Sequence, residues 1–221
     1  MKIVKADAKS VNLALQYLKS GKAVVYPTDT AYGLGVDATN VAAVKRLYKI
    51  KGRSFRKPVH VIVSGFQMAK KYAKFDKTAE RMFKKFMPGP LTLILDFRFK
   101  ILDLGMKLLS AGTETIGVRM PDNRIALSLV KKLGKPITTT SANLAGGQTP
   151  YSVEESLKQF RNKKYQPDLY LDAGELPKVQ PSTMVRVENG KIEILRQGPV
   201  KKKQILSVIA SDRRERGNLK K

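Results

Sequence analysis

The chain of 221 residues has no cysteine and a single histidine, His60. Without cysteine it can form neither a disulfide nor a zinc–sulfur site, and it offers no thiolate nucleophile. One histidine argues against a histidine-based metal cluster and against a Ser-His-Asp triad. Any chemistry therefore has to rest on lysine, arginine, serine, threonine, asparagine and carboxylate side chains, and we expect no metal site built from protein ligands.

Long apolar runs and acidic residues are also scarce. No stretch approaches the roughly 20 apolar residues of a membrane span, and the first residues, MKIVKADAKS, lack the apolar core of a signal peptide. We therefore expect a cytoplasmic protein. With 43 lysines and arginines against 18 acidic residues, the formal net charge is +25. Such an excess favours nucleic acid, nucleotide phosphates or an acidic membrane surface as partners, and a lysine-rich composition adapted to heat or salt is the alternative.

The order of apolar and turn residues predicts alternating helices and strands. Helices are predicted at 8–20, 40–52, most of 66–87, 125–134 and 151–160, with Ser10 and Asn40 as the first two N-caps. Strands are predicted at 23–27, 58–65, 91–97, 115–121, 136–140 and 168–174, with a loop at 28–35. Two alternating runs around Asn189-Gly190 predict a hairpin over 182–198. This pattern indicates one mixed-sheet α/β domain over residues 1–200. Residues 201–221 would then form a basic tail, either frayed and solvated or in contact with nucleic acid.

Hydroxyl and basic side chains cluster where predicted strands give way to loops, which is the usual ligand site of an open α/β sheet. The segments are YPTDTAYGLG (26–35), KIKGRSFRKP (49–58), TIGVRMP (115–121) and TTTSAN (138–143). Each has an ordinary structural explanation: a turn that carries polar side chains, cations that stabilise a helix C-terminus, or a buried ion pair. Five cations in nine residues exceed what a helix dipole needs, and they suit a polyphosphate. Neither the Walker loop nor the Rossmann glycine pattern is present.

Six motifs occur in an order that resembles the YrdC/TsaC family of threonylcarbamoyl-adenylate synthases, over about residues 10–198. They are YPTDTAYGLG, KGR followed by KP, TIGVRMP, TTTSAN, PST and LRQG. The resemblance implies a single-domain α/β fold, a twisted mixed β-sheet flanked by helices with a large basic concave cleft, in the short form of the family. It also implies a reaction in which L-threonine, bicarbonate or CO2, and ATP give threonylcarbamoyl-AMP and pyrophosphate. That product is the first step toward N6-threonylcarbamoyladenosine in tRNA.

The resemblance also assigns residues. It implies a threonine site at Thr30, Arg119 and Ser182, with Arg119 on the carboxylate. The implied ATP contacts are Arg53, Lys57, Thr115, Thr139, Ser141, Asn143 and Arg196, and Lys51 and Asn143 complete the paired K-x-R and S-x-N signature. Lys51 and Arg53 would be catalytic, stabilising charge on the leaving pyrophosphate together with Arg196, and Mg²⁺ would be held mainly by the phosphates. Strand alternation adds that Thr139 and Ser141 share one face, whereas Thr138 and Thr140 point to the other.

One departure concerns a histidine at the threonine site of many family members, since Ile62 occupies that position and His60 lies two residues earlier. Either His60 faces the same cleft and partly substitutes, or it is an ordinary strand residue with satisfied hydrogen bonds. Two other functions stay open: a non-catalytic protein that binds double-stranded RNA or tRNA through the same basic cleft, and a carbamoyl-adenylate domain of the kind found in hydrogenase-maturation carbamoyltransferases. For the enzyme, the expected partners are its substrates, tRNA and a downstream threonylcarbamoyl-transferase machinery, with no membrane.

Overall fold

The protein, described by a computed structural model over residues 1–97 and 104–208, forms a ten-stranded mixed sheet with helices on both faces. The spatial order of the strands is β1-β8-β2-β3-β7-β4-β6-β5-β9-β10. The strands are β1 (Lys2–Lys5), β2 (Val24–Pro27), β3 (Tyr32–Gly35), β4 (His60–Ile62), β5 (Leu91–Asp96), β6 (Thr115–Arg119), β7 (Ile137–Ser141), β8 (Leu169–Asp172), β9 (Thr183–Glu188) and β10 (Lys191–Arg196). None of the helices in the described ranges is long and apolar enough to span a membrane.

Within residues 1–97 and 104–200, seven helices connect these strands, and most begin at a side-chain cap. They are α1 (Ala8–Lys19), α2 (Val41–Lys51), α3 (Phe66–Tyr72), α4 (Lys77–Phe86), α5 (Leu104–Leu109), α6 (Arg124–Leu133) and α7 (Val153–Phe160). Asn40 caps α2 as predicted, by accepting a hydrogen bond from the Ala43 N–H. The prediction for α1 was wrong by one turn: Asp7 is the N-cap, and Ser10 is its capping-box partner three residues later.

The sheet separates two apolar cores. The larger one contains Val61, Ile116 and Val118, together with buried residues of α2 and α4. The smaller one lies on the opposite face under α1 and α6, and it contains Ile62 and Ile137. Because side chains alternate along a strand, the face that carries Ile62 and Ile137 also carries their neighbours two residues away. That face is where the candidate site lies.

Residues 32–35 form strand β3, although the glycines of the segment predicted a loop. Gly35 faces an aromatic ring: a Cβ at this position would lie 2.6 Å from Tyr26 Cε1 and 2.6 Å from Ile137 Cγ2. The glycines therefore make room for Tyr26, whose hydroxyl donates to the Thr138 carbonyl at 3.0 Å. Glycine as a turn signal and glycine as a close-contact residue look the same in a sequence.

The C-terminal end of the domain extends past residue 200. Residues 202–208 are helical, and Ile205 and Val208 join the larger core. The domain boundary predicted at residue 200 therefore falls inside packed structure. The rest of the predicted tail, residues 209–221, lies outside the described residues. The hairpin over 182–198 is confirmed: β9 and β10 pair around Asn189 and Gly190, both of which have positive φ.

Candidate active site

A cleft of about 470 Å³ opens beside the smaller core, on the sheet face that carries Ile62 and Ile137. Three arginines, one histidine and a row of hydroxyl groups line it. The charged or titratable members are Arg53, Arg119, Arg196, His60 and Tyr32. The threonines and serines are Thr28, Thr30, Thr92, Thr139, Thr140, Ser141, Thr149 and Ser182. No aspartate or glutamate is found among these described lining residues, so the cleft suits an anionic ligand.

The turn between β2 and β3 positions the first group. The Thr28 hydroxyl donates to the Ala31 carbonyl at 2.7 Å and accepts from the backbone N–H groups of Thr30 and Ala31, each at 3.2 Å. Such local hydrogen bonds fix a tight turn. The turn thereby presents Thr30 and Asp29 to a side chain that comes from the other side of the cleft, Arg119.

Arg119 is buried and held by three partners. Its Nε donates to the Gly89 carbonyl at 3.2 Å, Nη1 to the Thr30 hydroxyl at 3.0 Å and Nη2 to Asp29 Oδ1 at 2.6 Å. These bonds use three of the five N–H groups of a guanidinium, so two remain for a ligand. Asp29 was not predicted as a site residue. No local pattern in the sequence identifies it, because its partner Arg119 is distant along the chain.

Ser182 and Arg196 form a second group. Arg196 donates to the Ser182 carbonyl from Nε at 3.0 Å and from Nη2 at 2.8 Å, and Nη2 also lies 3.2 Å from the Ser182 hydroxyl. The Ser182 hydroxyl shares a 2.8 Å hydrogen bond with Thr92. A residue predicted for threonine and a residue predicted for ATP are therefore in direct contact, which places the two predicted subsites side by side.

Lys51 lies beneath the cleft rather than in it. It is 3% exposed, and its ammonium donates to the Ser141 carbonyl and to Asn143 Oδ1, each at 2.7 Å. The Ser141 hydroxyl donates to the same Asn143 oxygen at 2.6 Å, and Asn143 Nδ2 donates to the Gly147 carbonyl at 2.6 Å. Burial and, to a lesser extent, the Arg53 charge together lower the pKa of Lys51 from 10.5 to about 7. Lys51, Ser141 and Asn143 of the paired signature thus form one hydrogen-bonded unit, and of these three Ser141 lines the cleft.

Arg53 follows the left-handed cap residue Gly52 and enters the cleft from the end of α2. Its Nη2 donates to the Pro58 carbonyl at 2.9 Å, whereas its buried Nε has no partner among the described residues. Burial lowers the pKa of this guanidinium below its ordinary value. An unpaired buried donor on a cation is costly, and an anionic ligand would relieve that cost.

Three predicted ATP contacts do not line the cleft: Asn143, which lies beneath Ser141, and also Lys57 and Thr115. Lys57 is exposed on the loop before β4, and its backbone carbonyl accepts from the Tyr48 hydroxyl at 3.0 Å. Thr115 lies at the start of β6, where its hydroxyl shares a 2.9 Å hydrogen bond with Thr113. Both depend on loops, whose course the motifs did not predict. In contrast, the lining residue Thr92 was missed although it interrupts the apolar run LTLIL of a buried strand.

The threonine row of β7 divides largely as strand alternation predicts. Thr139 and Ser141 line the cleft, and the fully buried Thr138 points away from it and accepts a hydrogen bond from the Val36 N–H at 3.0 Å. Thr140 differs from the prediction, because it is half-buried and also lines the cleft. The strand changes partners here: residues 137–139 pair with β4, and residues 140–141 pair with β3. This switch in pairing ends simple alternation.

His60 lines the cleft floor, as the first of the two interpretations requires. It lies opposite Thr139 on β7 and next to Gly117 on β6, where a Cβ would come within 2.7 Å of the imidazole ring. No hydrogen bond from another residue to its ring is found within the described ranges, and whether His60 substitutes for the family histidine stays a prediction. Burial lowers the pKa of His60 to about 4, and the charges of Arg196, Arg53 and Arg119 add to this effect.

Comparison with known proteins agrees with this geometry. The Sua5/YciO/YrdC family model, described as telomere recombination, matches residues 16–198. A relative from Methanocaldococcus jannaschii is 36% identical over 206 residues, which cover 90% of this chain and 93% of that protein. The threonylcarbamoyl-AMP synthase of Pyrococcus abyssi is 32% identical over 204 residues, and the match covers 92% of this chain but 58% of the relative.

A solved structure of a related protein carries a ligand. The crystal structure of Pyrococcus abyssi Sua5 complexed with L-threonine superimposes with a TM-score of 0.84 at 31% identity. The superposition covers 94% of this chain and 59% of the Sua5 chain. Nearly all of this chain thus superimposes on part of a protein whose structure was solved in complex with L-threonine.

Proposed function

The chain belongs to the Sua5/YciO/YrdC family, and from this premise we propose that it is an L-threonylcarbamoyladenylate synthase. Its substrates are then L-threonine, ATP and bicarbonate or CO2, and its products are threonylcarbamoyl-AMP and pyrophosphate. The adenylate would serve the N6-threonylcarbamoyladenosine modification of tRNA, with a separate transferase machinery moving the threonylcarbamoyl group onto the RNA.

The observation that carries the proposal is the convergence of two residue sets in one cleft. Thr30, Arg119 and Ser182 were assigned to threonine, and they come from three distant motifs that meet around the cleft. Arg53, Thr139, Ser141 and Arg196 were assigned to ATP, and they line the same cleft. A protein that only bound a phosphate backbone would not need hydroxyl groups clustered beside a buried guanidinium. In Arg119, two N–H groups of that guanidinium are left for a ligand.

The proposed chemistry needs no side-chain nucleophile. The amino nitrogen of threonine attacks the carbon of CO2 to give a carbamate. A carbamate oxygen then attacks the α-phosphorus of ATP, and the bond from that phosphorus to the pyrophosphate oxygen breaks. Catalysis consists of holding two anions side by side and stabilising charge on the leaving group. We assign the threonine carboxylate to the two free N–H groups of Arg119, and the phosphates to Arg53 and Arg196.

Lys51 and Asn143 receive a positioning role in this proposal. The ammonium of Lys51 faces the Ser141 carbonyl and the Asn143 side chain, so it fixes the end of β7 from below. Ser141 then presents its hydroxyl to the cleft from a fixed position. Lys51 influences the reaction through these neighbours, and Arg53 remains the catalytic member of the paired signature.

Mg²⁺ would enter with ATP, bound by phosphate oxygens. Within the described ranges, no three His, Cys, Asp or Glu side chains lie together so that they could hold a metal ion. The described cleft residues offer hydroxyl and carbonyl oxygens, which can complete the coordination of an ion that the phosphates already hold. The ion is therefore part of the nucleotide substrate in this proposal.

Threonine-dependent pyrophosphate release tests the function. We expect release from a mixture of protein, Mg-ATP, bicarbonate and L-threonine, and none when threonine is left out. Arg53→Ala should lower kcat/KM at least about 10-fold, because removing a cation from developing phosphate charge typically costs a few kcal/mol. Lys45→Ala, an exposed lysine of α2, is the matched control and should keep the wild-type rate. Equal rates for Arg53→Ala and the control would contradict the role of Arg53.

RNA binding without catalysis is the competing function, and the net charge of +25 is the observation that favours it. In that case the wild type would retain tRNA in a salt-dependent manner and release no pyrophosphate. Release that requires threonine is the outcome that separates the two.

A further inference from the structure

His60 occupies the middle of the cleft floor. On β6 and β7 its neighbours are Gly117 and Thr139, and Arg119 lies level with Ile62, two residues further along the strands. Ser141 lies two residues beyond Thr139 in the opposite direction along β7. Two residues of a strand span about 7 Å. By register, therefore, the imidazole lies between the arginine proposed for the amino-acid carboxylate and the serine proposed for the nucleotide.

The surroundings of His60 are cationic. From β6 it faces Arg119, from β10 Arg196 and from the loop after α2 Arg53, and all three charges act on it. The facing residue of β7 is the neutral Thr139. The imidazole is consequently neutral at physiological pH, with one N–H donor and one free ring nitrogen. ATP phosphates and a carboxylate would compensate the three arginine charges, so binding of both substrates should raise the pKa of this group.

Among the described lining residues, His60 is the one that can take up a proton, and the Asp29 carboxylate beside the cleft is paired with Arg119 at 2.6 Å. The described lining residues include no carboxylate, and the arginines, threonines and serines around it cannot hold an extra proton near neutral pH. Lys51 could hold such a proton, but it lies beneath the cleft floor, where its ammonium faces Ser141 and Asn143. Gly117 leaves room for the ring, since a Cβ there would come within 2.7 Å of it.

We propose that His60 contacts the amino group of the amino-acid substrate and accepts its proton. The inference rests on the proposed function, because it assigns the base that the first step of that reaction requires. One N–H bond of the substrate ammonium breaks, its proton moves to the free imidazole nitrogen, and the electron pair stays on the amine. That pair forms the C–N bond with CO2. The imidazolium passes its proton to water in the open cleft, and the second N–H proton leaves by the same route to give the carbamate.

The single histidine makes a direct test possible, because untagged protein gives one imidazole Cε1–H signal in an NMR spectrum. We expect Mg-ATP followed by L-threonine to shift this signal and to move its titration midpoint upward from about 4. L-Valine has the size of threonine without the hydroxyl and should shift the signal too, since the contact is with the amino group. A signal that does not respond to threonine in the presence of Mg-ATP overturns the proposal, whatever the turnover.

Kinetics gives the second test. His60→Ala and His60→Gln should lower threonine-dependent pyrophosphate release by about 10²- to 10⁴-fold, the usual contribution of a general base. Their affinity for Mg-ATP and their far-UV circular dichroism should match the wild type. Added imidazole should restore part of the rate of His60→Ala, which opens space at the cleft floor, but not of His60→Gln.

The outcomes of the two tests are distinct. An active wild type with equally active His60 variants overturns the role of His60 and leaves the proposed function standing. A wild type that releases no pyrophosphate overturns the proposed function, and with it the role of His60. Loss of activity with intact nucleotide affinity but without imidazole rescue or an NMR response would make His60 a packing residue, which also contradicts the proposal.

Discussion

Replacing Lys51 by methionine should change how the stability of the protein depends on pH. The ammonium of Lys51 is 3% exposed, and burial lowers its pKa from 10.5 to about 7. At roughly 1.4 kcal/mol per pKa unit, this difference corresponds to a cost on the order of 5 kcal/mol for keeping the charge in the folded chain. Methionine has a similar length and no charge, so Lys51→Met removes that cost together with the two hydrogen bonds.

The sign of the effect follows from the protons bound in each state. Between pH 7 and 10.5 the unfolded chain keeps the Lys51 proton, while the folded chain has released it. The free energy of unfolding of the wild type therefore rises with pH across this window. For this group alone, the rise between pH 7.5 and 9.5 is about 2 to 3 kcal/mol. Lys51→Met has no such contribution, so the stability difference between wild type and variant should grow by that amount in favour of the wild type.

Urea unfolding followed by circular dichroism at several pH values measures this difference. Lys45→Met is the control, because Lys45 lies on the same helix with its side chain exposed, as it is in the unfolded chain. It should keep the pH dependence of the wild type. Parallel curves for wild type and Lys51→Met would refute a buried, desolvated ammonium at this position.

Two further substitutions test the packing around the cleft. Asp29→Ala leaves the buried guanidinium of Arg119 without its carboxylate at 2.6 Å. The substitution should therefore lower the free energy of unfolding by about 3 to 5 kcal/mol. A loss below about 1 kcal/mol in urea unfolding would show that the pair is not buried. Gly35→Ala places a methyl group 2.6 Å from the Tyr26 ring and should cost about 1 to 3 kcal/mol. Gly65→Ala, with nothing within 4 Å, is the control and should stay within about 0.5 kcal/mol, so equal losses would contradict the close contact.

Local signals predicted most of the fold. Helices with a clear apolar face and a side-chain cap, such as α2 with Asn40, were found within about one residue of their observed ends. The Asn189-Gly190 hairpin was found because its turn requires positive φ at both positions. Features that depend on distant contacts were missed. The N-terminal strand β1 forms only because residues 2–5 pair with β8, more than 160 residues away. The glycines of β3 make room for the ring of Tyr26, which belongs to β2.

The candidate site shows the same difference between features set by local sequence and features set by distant contacts. Residues on strands, such as Thr139, Ser141 and Arg119, were placed correctly because strand alternation fixes the face of each side chain. Residues on loops or at helix ends gave a mixed result: Thr30, Ser182 and Arg53 line the cleft, whereas Lys57 does not. Lys51 was expected in the cleft, but its ammonium is bound by the Ser141 carbonyl and the Asn143 side chain beneath the cleft. Asp29 has no distinctive pattern in sequence, because its partner Arg119 lies 90 residues further along the chain.

The most direct test of the central claim is detection of the product itself. Protein, Mg-ATP, L-threonine and ¹³C-bicarbonate are incubated together, and the nucleotides are analysed by mass spectrometry. We predict a threonylcarbamoyl-AMP species that carries one ¹³C, that requires threonine, and that forms in step with pyrophosphate. AMP or ADP formed equally without threonine, and no labelled adenylate, would contradict the assignment of this cleft to threonylcarbamoyl-AMP synthesis.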